Sequence, residues 1–544
     1  MSFCNNLLLA FFAFLFTITV RAEEGRFVVF FTDKENNLFS LDRPEEFLSP
    51  AALQRREKQG LTPDESDLPV SPDYLDQIEQ KGIRVFFSSK WFNAALVETD
   101  SQKLSSILDL PFVRHVEFVA PGAVLKASQK TDSRKEEARE GGFQEAETDL
   151  QNKMIGIDRM HTEGFTGQGM LIGVFDSGFG TVDQSSYFRH LFAGGRITGS
   201  RDFIRNSNNV YQYDTHGTKV LSVLAALRDG EYIGAAYDAS YLLCVTEDVR
   251  SEFRVEEYNW LFAAEYADSI GVDIINSSVG YYDFDDERMN YDYDDMDGNT
   301  TVITKAAAMA SSKGIVIVCS NGNEGNRPWS YISAPADAEM ILSVGAVGPD
   351  LARAGFSSFG PTSDGRIKPD VVALGSWTRL ASGENTMVGN GTSFASPLVA
   401  GLAAGLWQAF PELSSDDLIR YIRETSSNAS SPDTLTGYGV PHFISAFNRI
   451  VYEPEVEIER TFIVFPNPVD DRRIIYIYND TFFGNQAADV SFFTTDGRLL
   501  HRIGIDLTKG GQPYELDVSV LHPGTYILTC NSGGDVKKSK LLVL

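Results

Sequence analysis

Three short motifs carry side chains that together could transfer an acyl group. An apolar run ends at Asp176, a Thr-His-Gly-Thr motif places His216 at the start of a helical pattern, and Gly-Thr-Ser-Phe-Ala-Ser-Pro places Ser393 where a turn enters an apolar helix. A serine hydroxyl is a weak nucleophile until a base accepts its proton. An imidazole serves as that base when a buried carboxylate fixes its tautomer. The motifs therefore predict a nucleophile, a base and an orienting carboxylate.

A fourth motif, Cys-Ser-Asn-Gly-Asn-Glu-Gly, supplies groups for the negative charge that forms during acyl transfer. The Asn323 side-chain amide can donate to that oxyanion, as can backbone N–H groups at the helix N-terminus by Ser393. Gly322 lets a substrate backbone come close. Alone, the Asp-Ser-Gly and His-Gly-Thr motifs are more simply explained as a turn and a helix cap. All four motifs in this order favour a catalytic site.

The elements that must position these residues alternate between strand and helix patterns from 151 to 450. Near-continuous apolar strands separated by helices predict an α/β fold, a parallel sheet with helices on both faces. In such sheets the functional residues lie at the carboxyl ends of the strands. The predicted strands are 171–175, 241–245, 272–275, 314–319 and 341–347, and the predicted helices are 218–227, 255–267, 302–312 and 393–410.

The flanking segments have different patterns. The pattern of residues 23–125 predicts a strand, a helix, two strands, a helix and a strand, which is the order of a split βαβ unit of the α+β class. Ser71 is the predicted N-cap of its first helix. Residues 126–150 are charged and poor in large apolar residues, which predicts an exposed linker. Residues 455–544 show short alternating strands between turn residues, which predicts a small β-sandwich.

Composition limits the compartment and the partners. The chain has 544 residues with 47 Lys and Arg against 75 Asp and Glu, a net charge of −28, which argues against nucleic acid as a partner. Residues 7–20 form an uncharged, mostly apolar run, and Val-Arg-Ala at 20–22 follows at its end. This pattern predicts a signal peptide, residues 1–22, that is cleaved after Ala22; a short membrane anchor is the alternative. No other stretch approaches about 18 uninterrupted apolar residues, so we expect no stable transmembrane segment.

The cysteines give no framework for disulfides or zinc. Cleavage of the signal peptide would leave Cys244, Cys319 and Cys530, which are widely spaced. The first two lie in apolar runs, which favours small buried thiols. One disulfide between two of the three stays open.

The four central motifs resemble those of the subtilisin-like serine proteases over residues 151–450. Two further matches are Asn-Ser-Ser-Val-Gly at 276–280 and the segment 356–370. The resemblance implies a serine endopeptidase that hydrolyses peptide bonds through an acyl-enzyme. The resemblance also implies that Asp176, His216 and Ser393 form the catalytic triad and that Asn323 donates a hydrogen bond to the oxyanion. Substrate backbone would pair with the edge strand Ser278, Val279 and Gly280.

This chain departs from the family pattern at two positions. Lys219 replaces a second histidine that is common after the His-Gly-Thr motif, and Ser333 stands where a pocket glycine is usual. The first change leaves the catalytic groups intact. The second predicts a pocket of altered size.

The flanking segments also resemble known modules. The N-terminal segment is similar in element order to the family's inhibitory propeptide, which implies a zymogen with its own propeptide as inhibitor; an unrelated accessory domain is the alternative. The C-terminal motifs at 464–468, 495–498 and 521–526 resemble the sorting domain of the type IX secretion system. That resemblance implies a Gram-negative source, export through the periplasm, the secretion machinery as partner, and a secreted or cell-surface location. A generic β-sandwich binding module is the alternative.

An acidic run follows the supposed edge strand, with eight carboxylates against Arg288 between Tyr281 and Gly298. Asp295 and Asp297 have the spacing of calcium ligands, but no complete calcium-loop template fits, which favours a solvated acidic loop. The chemistry requires no cofactor, and structural calcium is possible. A further hypothesis is that the run favours basic residues in the substrate.

Two other functions compete with proteolysis. An inactive protease scaffold could serve as a surface binding or adhesive protein, but the four intact motifs argue against it. A serine esterase is the other, but the chain lacks the Gly-x-Ser-x-Gly elbow of that class.

Overall fold

The computed structural model describes residues 24–122, 148–452, 463–469, 472–478, 487–494, 498–506, 514–532 and 535–543. The predicted signal peptide and most of the predicted linker lie outside the described residues. We refer below to the N-terminal unit (residues 24–122), the central unit (148–452) and the C-terminal unit (the described residues from 463 onwards).

The N-terminal unit has the predicted split βαβ order, with one additional helix. Its elements are β1 (Glu24–Phe31), α1 (Pro50–Lys58), α2 (Pro72–Gln80), β2 (Arg84–Ser89), β3 (Ala94–Asp100), α3 (Ser101–Leu108) and β4 (Val113–Pro121). The antiparallel sheet has the order β2-β3-β1-β4. Ser71 is the N-cap residue of α2, as predicted, although its side chain makes no cap hydrogen bond. Helix α1, which was not predicted, begins at a proline after the capping residue Ser49.

The central unit is built on a seven-stranded sheet. The elements of this unit, in chain order, are α4 (Asp149–Met154), α5 (Ile157–Thr162), β5 (Leu171–Asp176), α6 (Arg189–Ala193), β6 (Ile197–Asp202), α7 (His216–Ala225), β7 (Leu227–Arg228), β8 (Tyr232–Ile233), β9 (Ser240–Val245), α8 (Val255–Ile270), β10 (Ile274–Ser277), α9 (Val302–Ser312), β11 (Val316–Ser320), β12 (Leu342–Val347), β13 (Val371–Leu374), β14 (Ser376–Ser382), β15 (Asn385–Asn390), α10 (Thr392–Ala409), α11 (Ser415–Glu424) and α12 (Phe443–Tyr452). The sheet has the order β13-β12-β11-β10-β5-β9-β6, and all six neighbouring pairs are parallel, as the apolar runs predict.

Two apolar cores lie on the two faces of this sheet. Successive strand residues point to opposite faces, so Val174 joins the core of α7 and α10, whereas Phe175 joins the core of α8 and α9. One face of the N-terminal sheet completes the second core through residues such as Val28 and Phe30. After β5 the chain forms β6 and β9 on one side of that strand, and it then returns to form β10 to β13 on the other side. The order of the strands therefore reverses between the neighbouring strands β5 and β10. Ligand sites of α/β sheets lie at such a switch point.

The described strands of the C-terminal unit form two antiparallel sheets around a third core. These strands are β16 (Ile463–Phe465), β17 (Ile474–Tyr478), β18 (Ala487–Thr494), β19 (Leu499–Asp506), β20 (Tyr514–Asp517), β21 (Gly524–Ser532) and β22 (Asp535–Val543). The sheet orders are β16-β17-β20 and β19-β18-β21-β22. The predicted fold classes of all three units are therefore confirmed. Across the described ranges, no helix has the length and apolar character needed to cross a membrane.

Candidate active site

Asp176 and His216 meet at the carboxyl end of β5. His216 Nδ1 lies 2.7 Å from Oδ1 of Asp176, whose side chain is fully buried. The same carboxylate oxygen accepts a hydrogen bond of 2.8 Å from the Ser177 backbone N–H. Because a carboxylate accepts, Nδ1 of the neutral ring must carry the proton, which makes Nε2 the basic nitrogen.

A glycine permits this approach of helix to strand. A Cβ atom on Gly217 would lie 2.5 Å from the Gly178 carbonyl oxygen and 2.9 Å from Cβ of Asp176. Any larger residue at the second position of α7 would therefore push the helix, and His216 with it, away from β5.

Asp214 is a site residue that the motif analysis missed. Its Oδ1 accepts hydrogen bonds from the N–H groups of Thr215 at 2.6 Å and His216 at 3.3 Å, and its Oδ2 accepts from Ser177 Oγ at 2.8 Å. Burial alone would raise the pKa of Asp214, but these hydrogen bonds and the neighbouring His216 lower it. Asp214 thus ties the start of α7 to the residue that follows Asp176. The sequence did contain a signal for this role, because Asp214 lies just before the predicted helix start at His216, and aspartate is a common capping residue at helix N-termini.

Ser393 is the second residue of α10 and is 6% exposed. Its Oγ lies 3.5 Å from the Ser278 carbonyl oxygen, and Ser278 Oγ donates to the Ser393 carbonyl oxygen at 3.0 Å. The ring of the next residue, Phe394, packs against the His216 ring with centroids 5.8 Å apart. The start of α10 is therefore brought alongside the histidine at the start of α7.

The Asn323 side chain is oriented by the residue before Ser393. Its Oδ1 accepts hydrogen bonds from both the backbone N–H and the hydroxyl of Thr392, each at 3.0 Å. With the carbonyl end of the amide so engaged, its two N–H groups are available to donate beside Ser393. Thr392 is a second residue that the motif analysis did not single out.

The residues predicted to bind substrate lie next to this point. Ser278, Val279 and Gly280 follow β10. The next residue, Tyr281, pairs with Ala334: the Tyr281 N–H donates to the Ala334 carbonyl oxygen at 2.9 Å, and the Ala334 N–H donates to the Tyr281 carbonyl oxygen at 3.1 Å. Ser333 lies between two glycines: a Cβ atom would be 2.4 Å from its Oγ on Gly280 and 3.0 Å on Gly322. Gly322 also has φ +107°, a backbone conformation that favours glycine. The Ser333 hydroxyl thus occupies the space that the glycines leave open.

The acidic run uses many of its carboxylates as turn caps. Asp286 caps a short helical turn and pairs with Arg288, and Asp292 and Asp295 form a capping box. Asp297 accepts hydrogen bonds from the backbone at 299 and 300. Among the residues with described positions, no three His, Cys, Asp or Glu side chains are grouped to hold a metal ion. Structural calcium therefore stays a prediction without an assigned site.

Cys244, Cys319 and Cys530 are buried free thiols, which confirms the prediction made for the first two. Burial raises the pKa of Cys244 and of Cys319 far above the usual range, which makes both thiols unreactive.

Comparisons with known families agree with the fold and motifs. A family model described as the subtilase family matches residues 167–440. A model of the peptidase S8 propeptide domain of Bacteroidota matches residues 26–137, and a model of the secretion system C-terminal sorting domain matches residues 463–544. The resemblances drawn from motifs for the central and C-terminal units, and from element order for the N-terminal unit, are confirmed.

Individual relatives are similar over most of their own length. Subtilisin NAT of Bacillus subtilis subsp. natto is 29% identical over 350 residues, which cover 62% of this chain and 76% of that protein. Subtilisin of Bacillus pumilus is 32% identical over 266 residues, which cover 46% and 82%. Among solved structures, proteases from Pseudoalteromonas arctica match at 20% identity over 56% of this chain and 97% of that one, with a TM-score of 0.44. The subtilase match spans half of the chain and includes every motif of the central site, so this chain belongs to the subtilase family of serine endopeptidases.

Proposed function

We propose that the chain hydrolyses peptide bonds with Ser393 as nucleophile, His216 as general base and Asp176 as the group that orients the imidazole. The observation that carries this proposal is the 2.7 Å contact between His216 Nδ1 and Asp176, next to a helix start that holds Ser393. Family membership supports the reaction class, and the geometry supports the assignment of roles.

In the first half of the reaction, Ser393 Oγ attacks the peptide carbonyl carbon while His216 Nε2 accepts the hydroxyl proton. The carbonyl oxygen becomes negative and receives hydrogen bonds from the Asn323 amide and the Ser393 backbone N–H. The C–N bond then breaks, and the imidazolium gives its proton to the leaving amine. In the second half, water attacks the acyl ester in the same way and releases the acid.

The decisive test is Ser393→Ala, with Ser396→Ala as a matched control from the same helix. Ser396 Oγ donates to Asn276 at 2.8 Å and has no role in the proposed reaction. We expect Ser393→Ala to lose casein and peptide hydrolysis, whereas Ser396→Ala keeps kcat near that of the wild type at a temperature where it is folded. Full casein hydrolysis by Ser393→Ala would show that another residue is the nucleophile.

We infer that substrate backbone pairs with Ser278, Val279 and Gly280, and that the side chain before the scissile bond enters the space beside Gly322. The backbone of this segment follows β10 and lies next to Ser393. An extended peptide added at this point would place its carbonyl group before both Ser393 and Asn323.

The flanking units indicate how the enzyme is made and exported. We propose that the N-terminal unit inhibits the enzyme until it is cut off, and that the C-terminal unit directs the chain through the type IX secretion system to the cell surface or the medium. Mass spectrometry of the secreted wild type and the Ser393→Ala variant, reading both termini, tests this. Wild-type protein that retains its N-terminal unit covalently in the medium would contradict the zymogen role.

A further inference from the structure

The N-terminal unit contacts the central unit at a place remote from the candidate active site. Helix α1 lies at the end of the parallel sheet where the strands begin. Its residue Arg55 donates hydrogen bonds to the Val272 carbonyl oxygen at 2.7 Å, the Lys313 carbonyl oxygen at 3.3 Å and Asp268 Oδ1 at 2.6 Å. The Arg55 side chain is 3% exposed.

The two carbonyl groups lie where the chain leaves two helices. Helix α8 ends at Ile270 and α9 at Ser312, so Val272 is the second residue after α8 and Lys313 the first after α9. The C-terminal end of a helix carries a partial negative charge. One guanidinium therefore binds beside the C-terminal ends of two helices of the central unit, and its five donors in a planar fork suit this purpose.

Charges cross the interface in both directions. Arg56 donates to Asp67 of its own unit at 2.8 Å and to Asp268 of the central unit at 3.1 Å. In return Lys313 of the central unit donates to Asp64 at 2.9 Å and to Asp67 at 3.1 Å, both in the N-terminal unit. Asp64 is exposed, but the side chains of Arg56, Asp67, Asp268 and Lys313 are buried in the interface, so removal of one of their partners leaves an uncompensated charge.

Close packing and neutral hydrogen bonds complete the contact. A Cβ atom on Gly271 would lie 2.5 Å from Cβ of Ala51, so glycine at the end of α8 allows α1 to approach. Gln59 donates to the Gly314 carbonyl oxygen at 2.8 Å and accepts from the Ser415 N–H at 2.9 Å. Residues 49–67 thus contact α8, α9 and α11 at once.

This contact is independent of the substrate cleft. Ser278, which contacts Ser393, lies six residues after Val272, whose carbonyl group Arg55 binds. At about 3.3 Å per residue of extended strand, the two places are about 20 Å apart.

We propose that residues 49–67 form a remote anchor, a docking element recognised by the C-terminal ends of α8 and α9 through its two arginines. The anchor holds the N-terminal unit on the central unit after the chain between them is cut, and it sets the rate of release without any contact in the cleft. The inference rests on the proposed zymogen role in one respect only, that the link between the units is cut during maturation.

The experiment uses the full chain in a form that needs no self-cleavage. A recognition site for a site-specific protease is placed in the predicted linker 126–150 of the Ser393→Ala chain, and the linker is cut after purification. Dissociation of the cut N-terminal unit is then followed by size-exclusion chromatography and by dilution kinetics. The double substitution Arg55→Met with Arg56→Met is compared with Arg43→Met, which removes the exposed partner of Glu46 in the same unit.

We expect the double substitution to speed release by at least about 100-fold, because the carbonyl groups at the helix ends lose their partner and Asp268 keeps only Lys90 of its three cations. We expect Arg43→Met to release at the wild-type rate. Equal release by the double variant and the wild type would overturn the proposal. Thermal unfolding of each uncut chain shows whether the variant is folded. If the double variant is unfolded, Gln59→Ala and Lys313→Met take its place, with at least tenfold faster release as the expected result and an unchanged rate as the contrary one.

A second readout separates the anchor from catalysis. In the active background, fully matured Lys313→Met enzyme should have the wild-type kcat/KM, because Lys313 lies at the far end of the sheet. A loss of kcat/KM would show that the contact acts on the cleft. Failure of the proposed catalytic function would appear separately, as absence of hydrolysis by the unmodified chain.

Discussion

At the scale of single residues, the two ends of the Asn323 amide have different partners in the proposed reaction. Its oxygen accepts hydrogen bonds from Thr392, and we propose that its N–H groups donate to the oxyanion. Asn323→Asp keeps an oxygen for Thr392 but loses the donors, whereas Asn323→Ala loses both. We expect kcat to fall by about 10²–10³ in both variants, a magnitude known from a subtilisin itself and transferred here from that relative. Steady-state kinetics with a peptide substrate measures it, and an unchanged kcat in Asn323→Asp would remove the amide from this role.

Ser333 offers a second prediction at this scale, concerning specificity. Its hydroxyl fills the space between Gly280 and Gly322, so the pocket beside Ser393 should favour small side chains. Ser333→Gly should raise kcat/KM for a substrate with Phe before the scissile bond by about tenfold relative to one with Ala, since space for even one methylene group in an apolar pocket is worth about 1–3 kcal/mol. The Ala substrate is the internal control. The same Phe-to-Ala ratio in both enzymes would place the pocket elsewhere.

At the scale of elements, the sequence predicts the bounds of a helix or strand where those bounds depend on neighbouring residues in the chain. Helix α9 spans the predicted residues 302–312, because its apolar face and its Thr301 cap are both local features. Strand β10 was predicted at 272–275 but lies at Ile274–Ser277. The carbonyl group of Val272 is capped by Arg55, more than 200 residues earlier in the chain. No local pattern contains that contact.

The approach of α7 to β5 gives a prediction with an unambiguous sign. Alanine is favoured over glycine in helices by about 1 kcal/mol, so on local grounds Gly217→Ala would be neutral or stabilising. The structure predicts the opposite, since the added Cβ would meet Gly178 at 2.5 Å. We expect displacement of His216 and a loss of about 10² in kcat, the usual effect of a misplacement of about 1 Å. Gly355→Ala, where a Cβ would meet nothing within 4 Å, should keep full activity. Equal kcat in the two variants would contradict the argument.

At the scale of the whole molecule, the order of three units follows from their sequence patterns, but their mutual contacts do not. Each unit has its own periodicity and its own core, so composition and spacing separate them. The interface between the N-terminal and central units joins residues far apart in the chain, such as Glu265 with Ser89, Lys90 and Trp91. No motif in the sequence singles out Glu265 or Asp268 of α8. In the folded chain both are buried in that interface.

We expect these buried carboxylates to make retention of the N-terminal unit depend on pH. Burial raises the pKa of Glu265 to about 7, outweighing Lys90 and the hydrogen bonds from Ser89, Lys90 and Trp91. Released into water, the group would return towards its ordinary 4.5, so the bound state takes up a proton. The contribution of Glu265 to binding is thus full below about 4.5 and is lost as the pH rises through about 7. Asp268 has the opposite sign: burial alone would raise its pKa, but Lys90, Arg56 and Arg55 lower it to about 2, so its contribution fails only in strong acid.

Between pH 5 and pH 8, therefore, the cut N-terminal unit should bind progressively less tightly. We expect its dissociation constant to rise by at least about tenfold over this range, as measured on the linker-cut Ser393→Ala chain by dilution at each pH. Glu265→Gln cannot ionise and should flatten this dependence. Glu79→Gln, on the exposed face of α2, should keep it. If the dissociation constant changes with pH equally in Glu265→Gln and in Glu79→Gln, another group takes up the proton. If the pH dependence is lost only in Glu265→Gln, a carboxylate of α8 controls how the release of the N-terminal unit depends on pH.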